Sequence, residues 1–223
     1  MAGRFARRVT VGWVTLLGVG ASLLLMAATM VVRDRLAPGD FGSISSRTTS
    51  SRTTPFAPAA PSDSSVAAPS AMAPAAGSSP VRVRIPALGV LALVVPVHTT
   101  NGVLGVPADP QQLGWWAEGA QVGARAGTVT IDGHVDSAAA GEGALFHVGS
   151  LRGGETVLVT TASGRTVRYA VTARHSYLKS GGLPAELFRT DGQPRLVLIT
   201  CGGPFDRQSG SYLDNIVVVA MPV

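Results

Sequence analysis

The sequence predicts a mainly β domain, built as a sandwich or closed barrel of seven or eight short strands, behind a membrane span and a disordered linker. After Pro80 the chain consists of short runs in which β-branched residues alternate with polar ones or follow one another. Turn dipeptides such as Asn101-Gly102 and Ser163-Gly164 separate these runs at regular intervals. Helical periodicity is scarce, and only residues 144–148 and 183–188 are expected to form a helical turn or two. The expected strands cover residues 81–85, 91–97, 127–131, 156–161, 165–173, 196–200 and 216–220.

The N-terminus has the pattern of a membrane anchor. Residues 9–32 carry no charge and are about 24 residues long, which is enough to span a bilayer with some tilt. Three arginines precede this run, whereas the two that follow it are offset by Asp34, so residues 1–8 are expected on the cytoplasmic side. A cleaved signal peptide is the competing interpretation. Its apolar region is usually shorter, and no clear small-residue cleavage site follows here. We therefore expect an uncleaved, single-pass anchor with the rest of the chain outside the cell.

Residues 33–80 are expected to form a disordered linker. They are rich in Pro, Ala, Ser and Thr and contain almost no large apolar residues. Such a segment buries too little surface to offset the entropy lost on ordering, and its prolines make it a semi-stiff spacer. Residues 81–223 then form one domain of ordinary size, held away from the lipid surface.

The charge of the chain does not indicate a nucleic-acid partner. The net charge is +5, and several of the arginines lie near the membrane segment or in the linker. No basic stripe with interleaved aromatic residues is present in the domain. Positive charge beside an apolar run has a simpler use in orienting the span, so a membrane rather than a nucleic acid is the expected partner.

Cys201 is the only cysteine of the chain, so no internal disulfide is possible. It follows the apolar run at 196–200 and precedes the flexible pair Gly202-Gly203. A spare thiol outside the cell is exposed to oxidation, so its presence at an expected strand end suggests a nucleophile. The alternative is a small buried hydrophobic residue, which is the usual role of a free cysteine.

A thiol nucleophile needs a base or a cation that maintains the thiolate, and histidine commonly serves. His134 is the best candidate because it follows the expected strand at 127–131 and comes directly after Gly133, which permits close approach of the backbone. Asp132 and Asp136 flank it, and either could orient the imidazole or cap a turn. The other histidines, His98, His147 and His175, fit structural or surface roles better.

Acyl transfer by a thiol creates an oxyanion, which requires hydrogen-bond donors or a cation. Arg207 is the only arginine after Cys201 and is our candidate for this role, with a solvated loop residue as the alternative. The backbone N–H groups of the Gly202-Gly203 pair are further possible donors. The sequence has no zinc-ligand spacing and no nucleotide-binding glycine pattern, so we expect neither a metal nor a cofactor.

Together these segments resemble the sortase family, and specifically the class F type of high-GC Gram-positive bacteria. Residues 127–136, GTVTIDGHVD, resemble the G-x-x-x-x-x-GH segment of that family, and residues 198–201, LITC, are similar to its L-x-T-C signature. Residues 145–155 resemble the F-x-x-L-x-x-L-x-x-G-D segment, and residues 84–90 and 114–116 are similar to class F landmarks. The resemblance covers residues 81–223.

The resemblance implies a sortase-type closed β-barrel and a cysteine transpeptidase. Cys201 would attack a carbonyl in an LPxTG-like sorting signal of a secreted protein and form an acyl-thioester. His134 would protonate the leaving amine and deprotonate the incoming one, on a peptidoglycan precursor or another cell-wall amine. Sortases also carry an arginine near the start of the final strand, where this chain reads SYLDN at 211–215. Arg207 from a shifted position, Asn215 or backbone amides would have to replace that arginine.

Three other functions fit parts of the sequence. An L,D-type transpeptidase normally has a histidine just before its cysteine, where this chain has Ile199-Thr200. Papain-like wall hydrolases place the cysteine before the histidine, which is the reverse of the order here. A non-catalytic adhesin or scaffold with a buried Cys201 stays open.

Overall fold

The fold is a closed barrel of eight antiparallel and parallel strands, in agreement with the predicted mainly β domain. The computed structural model describes residues 39–44 and 78–223. The strands of the barrel follow the order β1-β2-β5-β6-β11-β12-β10-β9. Their bounds are β1 Pro80–Ile85, β2 Val90–Val97, β5 Leu113–Trp116, β6 Thr128–Gly133, β9 Thr156–Thr161, β10 Thr166–Leu178, β11 Arg195–Asp206 and β12 Ser211–Pro222. Closure gives every strand of the barrel a hydrogen-bonded neighbour on each side.

Two short hairpins and four 3-10 helices lie in the connections. The hairpins pair β3 Thr99–Thr100 with β4 Val103–Leu104, and β7 Asp136–Ser137 with β8 Gly141–Glu142. The 3-10 helices are Pro86–Leu88, Val148–Ser150, Lys179–Gly181 and Ala185–Phe188. The last of these confirms the helical turn expected near residues 183–188. The turn expected at 144–148 forms slightly later in the chain.

β5 is a strand that the sequence pattern did not predict. Its four residues include Gly114, which has low strand propensity, and they are too few for an alternating pattern. The strand exists because it is held on both sides. It pairs in parallel with β2 and antiparallel with β6.

The strand that carries Cys201 is longer than expected. We predicted that Cys201 lies at a strand end, but β11 continues to Asp206 and forms a long antiparallel hairpin with β12. The ladder is irregular between Gly202 and Phe205, which is the character of a β-bulge. Gly203 has φ +73°, a left-handed conformation that favours glycine. The Gly-Gly-Pro sequence therefore bends the strand rather than ending it.

Apolar residues form two clusters on the two faces of the barrel wall. The larger cluster fills the interior and includes Ile85, Leu113, Ile131, Leu196 and Leu198, all fully buried. The smaller cluster lies on the outside of β10, β11 and β12, where the Ala185–Phe188 helix covers Val197 and Ile199. Successive residues of β11 therefore alternate between two buried faces, which explains its continuous apolar sequence.

Residues 39–44 pack against the barrel, within the stretch expected to be linker. Phe41 forms a two-way backbone bridge with Arg174 of β10, with N···O distances of 3.0 and 2.9 Å. The buried guanidinium of Arg174 donates to the carbonyls of Leu151 and Gly39 and lies over the ring of Phe41. These contacts attach a short part of the predicted linker to the domain.

The predicted membrane span at 9–32 and most of the predicted linker lie outside the described residues. Within residues 39–44 and 78–223, no helix is long and apolar enough to cross a bilayer.

Candidate active site

Two neighbouring parallel strands bring Cys201 and His134 level with each other. β6 and β11 pair in parallel, with Asp132 opposite Ile199. His134 and Cys201 each follow two residues after this pair, so both lie on the same face of the sheet as Asp132 and Ile199. Thr200 Oγ1 donates a 2.8 Å hydrogen bond to the carbonyl oxygen of Gly133, so the residues directly before the pair are joined. The two predicted site residues, which are 67 positions apart, are thus fixed by one ladder.

Cys201 and His134 line the same cavity of about 550 Å³. One wall is the β7–β8 hairpin with its flanking residues, and the other is the far end of the β11–β12 hairpin. Both side chains are partly exposed to solvent. The remaining lining residues include Asp136, Glu142, Phe146, Phe205 and Tyr212. A thiol and an imidazole that open onto a shared cavity can both reach a bound substrate, which a buried structural cysteine cannot.

The imidazole of His134 is oriented by a backbone carbonyl. Its Nε2 lies 2.8 Å from the carbonyl oxygen of Pro107. A carbonyl only accepts hydrogen bonds, so Nε2 must carry the hydrogen of this bond. Nδ1 is then the nitrogen left to exchange a proton with the thiol or with a substrate amine. The flanking aspartates, which the sequence suggested as orienting groups, make no hydrogen bond to this ring within the described part of the chain.

Asp136, which lines the cavity, is instead hydrogen-bonded to a residue of the final strand, β12. The hydroxyl of Tyr212 donates a hydrogen bond to its carboxylate, linking β7 to β12. This bond to a carboxylate, with a smaller contribution from burial, raises the pKa of Tyr212 to about 12. Tyr212 was not among the predicted site residues. Nothing in the local pattern at 212 indicates a partner 76 residues earlier.

Asp132 is a buried carboxyl on β6, two residues before His134. Its side chain faces Gly114 of β5, where any Cβ would overlap Oδ1, and only 5% of the residue is exposed. Oδ1 has no hydrogen-bond partner in the described residues. Burial without a counter-charge raises the pKa of Asp132 to about 7. Asp132 is therefore a titrating group two residues from His134, rather than a turn cap.

The other three histidines lie away from Cys201, as expected. His98 Nδ1 is 2.8 Å from Glu118 at the surface, and His147 packs its ring edge to face against Phe146. His175 Nε2 lies 3.1 Å from the carbonyl of Gly42 in the segment that packs on β10. None of the three lines the cavity of Cys201.

Arg207 is not among the residues that line this cavity, although Phe205 and Gly210 of the same hairpin are. It is exposed in the turn that joins β11 to β12. The residue directly opposite Cys201 on β12 is Asn215. Gly203 packs closely against Asp214, and Gly202 is buried against Ile216.

Within residues 39–44 and 78–223, no group of three or more His, Cys, Asp or Glu side chains has the arrangement of a metal site.

Known proteins share this arrangement of strands. The family model of the sortase domain matches residues 83–223, which is more than half of the chain. Sortase C-1 from Actinomyces oris superposes with a TM-score of 0.51 at 20% identity, over 65% of this chain and 73% of that one. Sortase A from Corynebacterium diphtheriae gives a TM-score of 0.50 at 22% identity, over 65% of this chain and 60% of that one. At these identities the two structures are evidence for the fold alone. No curated protein is significantly similar to this chain in sequence.

The sortase domain is that of a cysteine transpeptidase family. The chain belongs to the sortase family. Members of this family generally act on proteins that carry a sorting signal and transfer them to cell-wall amines.

Proposed function

We propose that this chain is a class F-type sortase, in which Cys201 is the nucleophile and His134 the proton-transfer group. The observation that carries the proposal is the level placement of these two residues on parallel strands, opening onto one cavity. The class F assignment rests on the resemblance of residues 84–90 and 114–116 to that type. Motif, register and cavity all support the same pair.

The proposed reaction has two acyl transfers. The thiolate of Cys201 attacks the scissile carbonyl carbon of an LPxTG-like sorting signal, and the C–N bond breaks. The leaving amine takes a proton from Nδ1 of His134, and an acyl-thioester remains on the sulfur. An amine of the cell wall then attacks the thioester, loses its proton to His134 and releases the thiolate. His134 serves as acid in the first half and as base in the second.

The proposal also covers location. The uncharged run at 9–32 would hold the protein in the membrane with residues 1–8 in the cytoplasm. Residues 45–77 would then act as the spacer that lets the barrel reach secreted proteins and peptidoglycan precursor. Arg207 stays a sequence-based prediction for the group that stabilises the oxyanion.

The test is a transpeptidation assay on the full-length chain in detergent. The protein is incubated with an LPxTG-type peptide and an amine, and products and enzyme adducts are identified by mass spectrometry. We expect a ligated product and a thioester adduct in the wild type, neither in Cys201→Ala, and a loss of at least a hundredfold in His134→Ala. His98→Ala is the matched control, because it removes an exposed histidine outside the cavity.

A folded wild type that gives neither product nor adduct with a panel of peptide variants would contradict the proposal. Thiol reagents then separate the remaining alternatives. A Cys201 that resists every reagent would favour the adhesin or scaffold function, because a structural cysteine is protected by burial. A reactive Cys201 would point to a different acyl donor.

A further inference from the structure

Asn215 stands beside Cys201 on the side opposite His134. In the barrel β6, β11 and β12 are neighbours; His134 directly follows the end of β6, whereas Cys201 lies on β11 and Asn215 on β12. Cys201 and Asn215 are direct partners in the antiparallel ladder. Residues directly opposite in such a ladder have side chains on the same face, with Cα atoms about 4.5–5.5 Å apart. The sulfur is thus flanked by the imidazole on one strand and by a carboxamide on the other.

The position of Asn215 is fixed from both sides of its strand. Tyr177 of β10 is its partner on the far side, so Asn215 lies in a row between Tyr177 and Cys201. Asn215 is partly buried, and its side-chain amide makes no hydrogen bond within residues 39–44 and 78–223. The two ladders fix the backbone of Asn215 beside Cys201, and the N–H groups of its side chain are available to donate to an incoming group.

Two other candidate donors, Tyr212 and Arg207, are less well placed. The hydroxyl of Tyr212 donates to Asp136. Arg207 is in the exposed turn beyond the strand, and the cavity lining within the described residues contains no lysine or arginine. Asn215 is not among the lining residues either, so its case rests on its ladder position directly beside Cys201. Leu213, two residues before Asn215 on the same strand, is apolar and 44% exposed.

We propose that the side-chain amide of Asn215 is the oxyanion donor of this enzyme. When the thiolate of Cys201 adds to the scissile carbonyl, the carbonyl oxygen becomes negatively charged. An N–H of Asn215 donates a hydrogen bond to that oxygen from one side, while His134 delivers its proton to the leaving nitrogen from the other. The same bond forms again when the amine attacks the thioester. This inference rests on the proposed transpeptidase function.

The test compares acylation with simple thiol chemistry in the full-length chain. Release of the leaving peptide from an LPxTG-type substrate measures acylation, which passes through an oxyanion. Alkylation of Cys201 by iodoacetamide, followed across pH, measures thiolate without forming an oxyanion. We expect Asn215→Ala to lower kcat/KM for acylation by about 10²–10³. The pH profile of alkylation should stay at its wild-type position.

Two further variants keep the result interpretable. Asn215→Asp has nearly the same size, so it should fold, but at neutral pH it presents a carboxylate in place of the N–H donors. We expect it to lose at least as much acylation activity as Asn215→Ala. Leu213→Ala is the matched control, because it changes the same face of the same strand without removing a polar group, and it should acylate at the wild-type rate.

Three outcomes would overturn the inference. Wild-type acylation in Asn215→Ala, with a large loss in Arg207→Gln, would assign the role to the arginine. A parallel loss of acylation and alkylation in both Asn215 variants would show a structural role only. A folded wild type that forms no thioester would contradict the proposed function and this inference together. If the wild type acylates and both Asn215 variants acylate at the same rate, only the inference is contradicted.

Discussion

Thr200 Oγ1 donates a hydrogen bond of 2.8 Å to the carbonyl oxygen of Gly133, and this bond joins the two residues that directly precede Cys201 and His134. Both residues are buried, so the bond is shielded from water. Gly133 also has no room for a side chain, because a Cβ there would come within 2.6 Å of Leu113 Cδ2. Thr200 and Gly133 therefore keep Cys201 and His134 in register with each other on the two neighbouring strands.

Replacing Thr200 tests this link. Thr200→Val keeps the shape but leaves the Gly133 carbonyl without its donor in a buried site. We expect the free energy of unfolding to fall by about 1–3 kcal/mol, measured by urea denaturation, and acylation to slow several-fold as the strand ends lose register. Thr200→Ser retains the hydroxyl and should keep most of the activity. Equal acylation rates in the valine and serine variants would show that the bond does not position the pair.

Asp132 should make stability depend on pH near neutrality. Its pKa is raised by burial to about 7 from an ordinary 3.8, so the folded state holds a proton that the unfolded state has released. Stability therefore falls as the pH rises from about 4 through about 7, and levels off above. The difference in pKa corresponds to at most about 4 kcal/mol. Asp132→Asn removes the titration and should flatten the curve, with its largest gain over wild type above pH 7.

Denaturation at several values between pH 5 and 8 measures this effect. Asp191→Asn is a matched control, since Asp191 is exposed and its bond to Arg189 lowers its pKa, which places its titration below this range. A curve for Asp132→Asn that is parallel to wild type would mean that Asp132 is ionised in the folded protein throughout.

The bond between Tyr212 and Asp136 should be visible in a spectroscopic titration of tyrosine. The Asp136 carboxylate holds the pKa of Tyr212 at about 12. Asp136→Asn removes the negative charge, so ionisation of Tyr212 should move down toward the ordinary 10.0. The absorbance change of tyrosinate measures the shift, and Tyr212→Phe identifies which part of the signal belongs to this residue. An unchanged titration in Asp136→Asn would show that the bond does not form in solution.

The segment at 39–44 should contribute to the stability of the barrel. Without it, Arg174 Nη2 loses the carbonyl of Gly39 at 2.6 Å, and Arg195 Nη1 loses that of Ile44 at 2.9 Å. Both guanidinium groups lie in largely buried residues, where lost partners are costly. We expect a chain lacking residues 1–44 to be about 3 kcal/mol less stable than one lacking residues 1–37. Its Tm should then be about 6–12 °C lower.

Calorimetry of the two truncated chains makes the comparison. As an independent check in the full-length chain, Arg174→Lys keeps the charge but lacks the forked donors, so its Tm should also fall. Equal Tm values for the two truncated chains would show that the segment does not dock in solution.

The local sequence pattern predicted those strands whose formation depends on residues close to them along the chain. Alternating β-branched runs with turn dipeptides indicated seven of the eight barrel strands, because a strand with a buried face must repeat every two residues. The short strand Leu113–Trp116 was missed, since pairing on both sides rather than its own sequence makes it a strand. Cys201 was expected at a strand end, because Gly-Gly-Pro usually breaks a strand and a bulge depends on the partner strand.

The sequence by itself determined the chemistry that is available: one cysteine, a histidine after a glycine, and no metal-ligand spacing. Only the tertiary structure decided which groups meet. It set Cys201 level with His134, aimed Tyr212 at Asp136, left Arg207 in a solvent-exposed turn and placed Asn215 opposite the thiol. The physical reason is that strand order and register fix which residues are neighbours across a barrel. Both are set by long-range pairing that no stretch of local sequence encodes.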